Sequence, residues 1–126
     1  MTSAEPDLPA STFPLRVLLV EDNPVIAMNT EALLEDLGAR EIIIAAGVTD
    51  AMRLIDDRSF NLAILDLKLG DGEDSLPVAE RLGEAGVPYV FATGFNEEDG
   101  LPPDHGALAI LKKPYSFEDL RRAIGR

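Results

Sequence analysis

Apolar residues fall into five short runs, each of strand length and each followed by polar residues. They are Val17-Leu18-Leu19-Val20, Ile42-Ile43-Ile44, Leu62-Ala63-Ile64-Leu65, Val87 to Ala92, and Ala107 to Leu111. Runs without inside-outside alternation mark strands buried on both faces, as in a parallel sheet. Between the runs the apolar spacing becomes that of a helix. Ile26, Thr30, Leu33 and Leu37 share one face, with Asp22 or Asn23 as cap, Pro24 in the first turn and Gly38 at the end. Val48, Ala51, Met52 and Ile55 make a second stripe, and Val78, Ala79, Leu82 and Ala85 a third, opened by Pro77 and closed by Gly86. Ser116 and Asp119 form a capping box for a last helix with Phe117, Leu120 and Ile124 inward. Between the fourth and fifth strands, Gly100, Pro102, Pro103 and Gly106 leave room for little more than one turn, so a helix there is expected to be short or disordered. Strands alternating with helices predict an α/β fold with one parallel sheet, right-handed crossovers and helices on both faces. Residues 1–14 carry three prolines and no periodicity and read as a flexible leader, with one domain over 15–126.

Composition narrows the partners. The 126 residues are 46% hydrophobic, enough for one core, and contain no cysteine, so disulfides and thiolate metal sites are excluded. No stretch reads as a signal peptide or a bilayer span, which makes a cytoplasmic protein the expectation. The formal net charge of -12 argues against nucleic acid and anionic membranes, since both demand a surplus of Lys and Arg.

The candidate chemistry sits where the strands end. Glu21 and Asp22 follow the first strand, Asp66 ends the third, Thr93 follows the fourth and Lys113 follows the fifth. Open α/β sheets bind ligands outside the carboxyl ends of their strands, so these side chains are expected to converge. Clustered carboxylates repel one another unless a cation lies between them, and an oxygen-only donor set suits Mg²⁺. Asp66 then fits a nucleophile toward phosphorus, with Lys113 as a point charge and Thr93 as a hydroxyl for phosphoryl oxygens. The product is an aspartyl phosphate. A Mg²⁺-dependent phosphohydrolase is the enzymatic alternative. A flavin site is disfavoured, because Glu21-Asp22-Asn23-Pro24 would repel a phosphate. His105 reads as a solvated loop residue, Tyr115 as packing beside Pro114, Lys112 as lying outside the site, and Gly70 to Asp74 as a turn.

The set Glu21-Asp22, Asp66, Thr93 and Lys113-Pro114, in this strand order, resembles the receiver domain of two-component response regulators, from about Leu15 to the end of the chain. The resemblance implies a doubly wound, flavodoxin-like sheet of order 2-1-3-4-5 with Asp66 as phosphoacceptor. It also implies Mg²⁺ held by Asp22, Asp66 and the backbone carbonyl of Lys68, with Glu21 acting mostly through water. Lys113 becomes the phosphate-binding lysine, and the Lys113-Pro114 bond is expected to be cis. The implied function is that of a single-domain response regulator, phosphorylated by a histidine kinase or histidine phosphotransfer protein. It would catalyse its own phosphotransfer and dephosphorylation without turnover, and work by conformational change, relay or phosphate sink. A pseudo-receiver that docks proteins without phosphorylation is the other alternative, disfavoured by the complete acid, Thr and Lys set. Phe91-Ala92-Thr93-Gly94-Phe95, with Pro88 before it and Lys113-Pro114-Tyr115 after, is similar to the FAT GUY receivers of alphaproteobacteria. Partners of that subtype are HWE or HisKA2 histidine kinases. Two positions depart from the family pattern: Phe95 stands where Tyr is usual, and Ile110 stands where most receivers carry the aromatic switch residue. The readout is therefore expected in residues 93–106, with Thr93 and Phe95 as its switch positions.

Overall fold

Each apolar run becomes a strand of one parallel sheet. In chain order the elements are β1 (Leu15–Val20), α1 (Pro24–Asp36), β2 (Ala39–Ala45), α2 (Val48–Asp57), β3 (Leu62–Asp66), a 3₁₀ turn (Gly70–Gly72), α3 (Leu76–Ala85), β4 (Tyr89–Thr93), β5 (Ile110–Lys112) and α4 (Phe117–Ala123). The strands lie in the order β2-β1-β3-β4-β5 and every pair is parallel, the doubly wound, flavodoxin-like arrangement expected. This is a computed structural model, and it describes residues 15–94, 101 and 105–125, apart from the side chain of Asp71. The expected leader, residues 1–14, and the switch candidate Phe95 lie outside the described residues, as does most of the stretch in which a short helix was expected.

Alternation along the central strands feeds a core on each face of the sheet. Val17, Leu19, Leu62, Ile64, Val90 and Ala92 point to one side, against Ala27 and Leu34 of α1 and Leu120 of α4. Leu18, Val20, Ala63, Leu65 and Phe91 point to the other, against Ala51 and Ile55 of α2 and Val78, Ala79 and Leu82 of α3. Because both faces are covered, β3 is buried over its whole length, which is why its sequence shows no polar alternation.

The helices begin and end on their predicted signals, with small displacements. Asn23, one of the two cap candidates, accepts the Val25 and Ile26 N–H groups at 2.9 and 3.1 Å, satisfying donors that the first turn leaves unpaired. The buried stripe of α1 is Ala27, Thr30 and Leu34, and Ile26 is only half-buried. α3 starts one residue before Pro77, where Asp74 accepts the Leu76 N–H at 3.0 Å, and it closes at Gly86 with φ 74°, a left-handed turn that glycine adopts without strain. Ala85, expected inward, is exposed. The Ser116–Asp119 capping box is present in both directions.

The ladder of β4 begins at Tyr89, because Pro88 has no N–H to contribute; its carbonyl instead accepts the Ala63 N–H at 3.0 Å. β5 is shorter than its apolar run, with only Ile110 to Lys112 opposite Phe91 to Thr93. Among the described residues between these strands (94, 101 and 105–109) none is helical. No helix among the described residues is long and apolar enough to cross a membrane.

Candidate functional site

Register brings the chemically active residues to one rim. Val20 lies opposite both Ala45 and Leu65, Asp66 opposite Ala92, and Thr93 opposite Lys112, so β1, β3, β4 and β5 end at nearly the same level. Glu21 follows β1 and is fixed there by its own N–H, which donates to the Ala45 carbonyl at 3.0 Å. Asp66 is the last residue of β3 and is 3% exposed, Glu21 is 4% exposed, and Thr93 is fully buried. Asp22 is exposed at the rim. Of the residues predicted for the site, Glu21, Asp22, Asp66 and Lys113 come together, and Thr93 borders them through β4.

The distances define a charged cluster. The Lys113 ammonium lies 2.7 Å from Asp66 Oδ1 and 3.5 Å from Glu21 Oε1. Glu21 Oε2 also accepts the Asn23 N–H at 3.1 Å, so the residue that caps α1 also anchors the buried carboxylate. The Lys113-Pro114 peptide is cis, as expected, and the Lys113 N–H donates to the Thr93 carbonyl at 2.8 Å. Lys112, on the strand just before, is exposed. The Thr93 hydroxyl donates to the Leu111 carbonyl across 3.4 Å, a long bond that costs little to exchange. Lys68 lies in the loop after β3, paired with Asp74 through an isolated antiparallel bridge, and Leu69 N–H reaches the Glu73 carbonyl at 2.9 Å.

Electrostatics follow from burial. Desolvation raises Glu21 from its ordinary carboxylate value to about 7; the nearby Asp66 charge adds to this, while the Asn23 N–H and the Lys113 ammonium oppose it. Lys113 loses solvation as well, but its contacts with Asp66 and Glu21 outweigh that loss and push its pKa up, so it stays charged. Among the described residues the Lys113 ammonium thus sits beside Glu21 and Asp66, while Asp22 adds a third carboxylate to the cluster.

That imbalance fits a bound cation. Glu21, Asp22 and Asp66 each offer an oxygen, all within 4.8 Å of one another, with no nitrogen or sulfur donor among them. Such a set suits a hard divalent ion. The turn after β3 comes close to this set: a Cβ at Gly70 would stand 3.0 Å from Asp22 Oδ2, so a side chain there would crowd the acidic oxygens.

Several contributors were not visible in the chain's motifs. The Tyr115 hydroxyl lies 2.6 Å from Thr30 Oγ1 of α1, so Tyr115 does more than pack beside Pro114. The polar Thr30 within an otherwise apolar stripe was the available signal, because a buried hydroxyl needs a partner. His105 is half-buried, not solvated: its Nδ1 accepts the Ala107 N–H at 3.0 Å, its carbonyl accepts the Tyr89 hydroxyl at 2.5 Å, and its ring meets Phe91 edge-on. Ile110 is half-buried against the core on the α2 and α3 side.

Comparison with known proteins agrees with this geometry. The family model for the response regulator receiver domain matches residues 17–125. The phyllosphere-induced regulator PhyR of Methylorubrum extorquens is 34% identical over 121 residues, 93% of this chain and 45% of that protein. The transcriptional regulatory protein PdtaR of Mycobacterium tuberculosis is 32% identical over 127 residues, 98% of this chain and 61% of that one. The chain therefore spans about half the length of the curated relatives it matches. The solution structure of SdrG from Sphingomonas melonis Fr1 superposes with a TM-score of 0.76 at 35% identity, covering 87% of this chain and 92% of that one. With its sheet order, its rim of carboxylates and lysine, and a family match along nearly its whole described length, this chain belongs to the response regulator receiver domains, the regulatory modules of two-component signalling.

Proposed function

We propose that Asp66 accepts a phosphoryl group from a phosphohistidine donor and that the resulting aspartyl phosphate is the signalling state of this receiver. The observation that carries this reading is the Lys113 ammonium 2.7 Å from Asp66 Oδ1, inside a cluster that also contains Glu21 and Asp22. A carboxylate oxygen of Asp66 forms the new O–P bond in line as the donor's N–P bond breaks, or the O–P bond of a small acyl phosphate. Lys113 shifts from the carboxylate to an oxygen of the arriving phosphoryl group. The Thr93 hydroxyl gives up its 3.4 Å bond to the Leu111 carbonyl to donate to the same group. Glu21, Asp22 and Asp66, with the Lys68 carbonyl, are the proposed ligands of Mg²⁺, Glu21 mostly through water; when bound, the ion supplies positive charge against the phosphoryl oxygens.

The proposed donor is a histidine kinase of the HWE or HisKA2 type or a histidine phosphotransfer protein. It would approach from the strand-end rim, where Val25 and Met28 of α1 are 65% and 67% exposed. Self-catalysed dephosphorylation in place of turnover and work in the cytoplasm belong to the same proposal. Readout through Thr93 and the segment after it, with Phe95 and Ile110 taking the place of the usual aromatic switch, belongs to it too. Incubation with Mg²⁺ and acetyl phosphate, followed by intact-mass spectrometry, tests the central step. A phosphate-mass adduct is expected in the wild type and not in Asp66→Asn; an adduct retained by Asp66→Asn removes Asp66 as acceptor.

A further inference from the structure

The lysine that faces Asp66 is carried by a short loop with few attachments. Its N–H is held by the Thr93 carbonyl on β4, and from Ser116 onward the chain is fixed by the capping box of α4. Between those points lie Pro114, which has no N–H, and Tyr115. On the α1 side Tyr115 packs against the core, and beside it lies a cavity of about 330 Å³ lined by Ile26, Thr30, Leu33, Lys113, Pro114 and Tyr115 among others. Lys113 thus has open space beside its stem, and a lysine stem has four rotatable carbons. Beside this cavity a polar link reaches α1, the 2.6 Å contact between the Tyr115 hydroxyl and Thr30 Oγ1. Thr30 is 2% exposed, so water competes little for that contact.

α1 is itself tied to the acidic side of the site. Its cap Asn23 receives the first-turn N–H groups on its side chain and donates its own N–H to Glu21. A link from Tyr115 to Thr30 therefore connects the lysine loop to the same rigid helix that positions Glu21 and Asp22. We propose that Tyr115 is a positioning residue for Lys113: its hydroxyl, bonded to Thr30, holds the loop after β5 so that the ammonium stays beside Asp66 and Glu21. Tyr115 need not touch the phosphoryl group to affect transfer. Consistent with that closeness, burial pushes the Tyr115 phenol pKa up, and the charges of Glu21, Lys113 and Asp66 are all felt there.

The inference rests on Asp66 being the phosphoacceptor, so its test has one arm that needs phosphorylation and one that does not. In the first, the rate of Asp66 phosphorylation by acetyl phosphate with Mg²⁺ is followed by intact mass. Tyr115→Phe and Thr30→Val are each expected to slow it roughly three- to tenfold, the scale of one lost hydrogen bond, while Thr30→Ser stays near wild type. In a Lys113→Ala background the same substitutions should change nothing further, because the residue through which they act is gone. Full rates in Tyr115→Phe and Thr30→Val, or equal slowing with and without Lys113, overturn the proposal. The second arm uses unphosphorylated protein with ¹³C-labelled lysine: the order parameter of the Lys113 ε-methylene should fall in Tyr115→Phe while that of Lys112 is unchanged. An unaltered Lys113 signal rejects the positioning role even if Asp66 is phosphorylated normally. A loosened Lys113 in a protein that never gains phosphate would reject the acceptor assignment and leave the loop contact standing.

Discussion

Glu21 is the residue at which the cost of assembling this site is concentrated. Its carboxyl is 4% exposed and its pKa is raised to about 7 from an ordinary 4.5, mainly by desolvation. The folded chain therefore holds this proton more tightly than the unfolded chain does. Its contribution to stability is complete below about pH 4.5 and is lost as pH rises to about 7, so the slope of stability with pH is negative in that window. Because the cluster opens onto solvent at Asp22, the loss is on the order of 2 kcal/mol, below the full linkage value. Urea unfolding in EDTA at pH 5 and pH 8 should show wild type losing about that much more than Glu21→Gln, in which no proton is gained or lost. Identical pH profiles for the two proteins would show that Glu21 ionises normally. The sequence supplied Glu21, Asp22, Asp66 and Lys113, because a polar residue interrupting an apolar run is conspicuous. It did not supply the pairing of Thr30 with Tyr115, 85 positions apart: a hydroxyl in an apolar stripe signals that Thr30 needs a partner, but only the fold says which.

At the scale of elements, the connection between β4 and β5 shows what a pattern of apolar residues leaves out. Ala107 to Leu111 reads as a strand, but regular pairing covers only Ile110 to Lys112; just ahead of them the Leu108 N–H donates to the Tyr89 carbonyl at 2.8 Å and the Ala109 carbonyl accepts the Phe91 N–H at 3.2 Å, so contact with β4 continues without strand geometry. Ahead of Leu108 a side chain of β4 takes over. The Tyr89 hydroxyl donates to the His105 carbonyl, and Gly106 turns beside it at φ 79°, where an added Cβ would stand 3.1 Å from the Tyr89 hydroxyl. Gly106→Ala thus meets two penalties: a left-handed backbone costing about 1 kcal/mol and a close approach to Tyr89. Tyr89→Phe removes the second penalty and forfeits a hydrogen bond worth about 1 kcal/mol. The two changes should therefore be less destabilising together than the sum of each alone. A double-mutant cycle in urea measures this, and strict additivity would mean that the ring oxygen and Gly106 do not constrain each other. Helix ends were easier to read, because caps are local: Asn23, Gly86 and the Ser116–Asp119 box all act within four residues of themselves.

For the molecule as a whole, the strand-end cluster adds to a chain that is already acidic, with a formal net charge of -12. Two effects of salt then have to be separated. Any electrolyte screens the general repulsion, whereas a divalent ion at Glu21, Asp22 and Asp66 removes a local one that a single ammonium leaves in place. An ion that binds only the folded state adds RT ln(1 + [L]/Kd), about 2.7 kcal/mol when it is present at a hundred times its Kd. For a domain of this size that corresponds to roughly 6 to 12 °C in melting temperature. MgCl₂ should therefore raise the melting temperature well beyond KCl at matched ionic strength, and Asp22→Asn should reduce the excess. The excess should also be larger at pH 8 than at pH 6, because below about pH 7 a proton on Glu21 competes for the same oxygens. If Mg²⁺ and K⁺ prove equivalent at matched ionic strength, the three carboxylates are neighbours without being a cation site, and charge neutralisation at Asp66 would have to come from Lys113 alone.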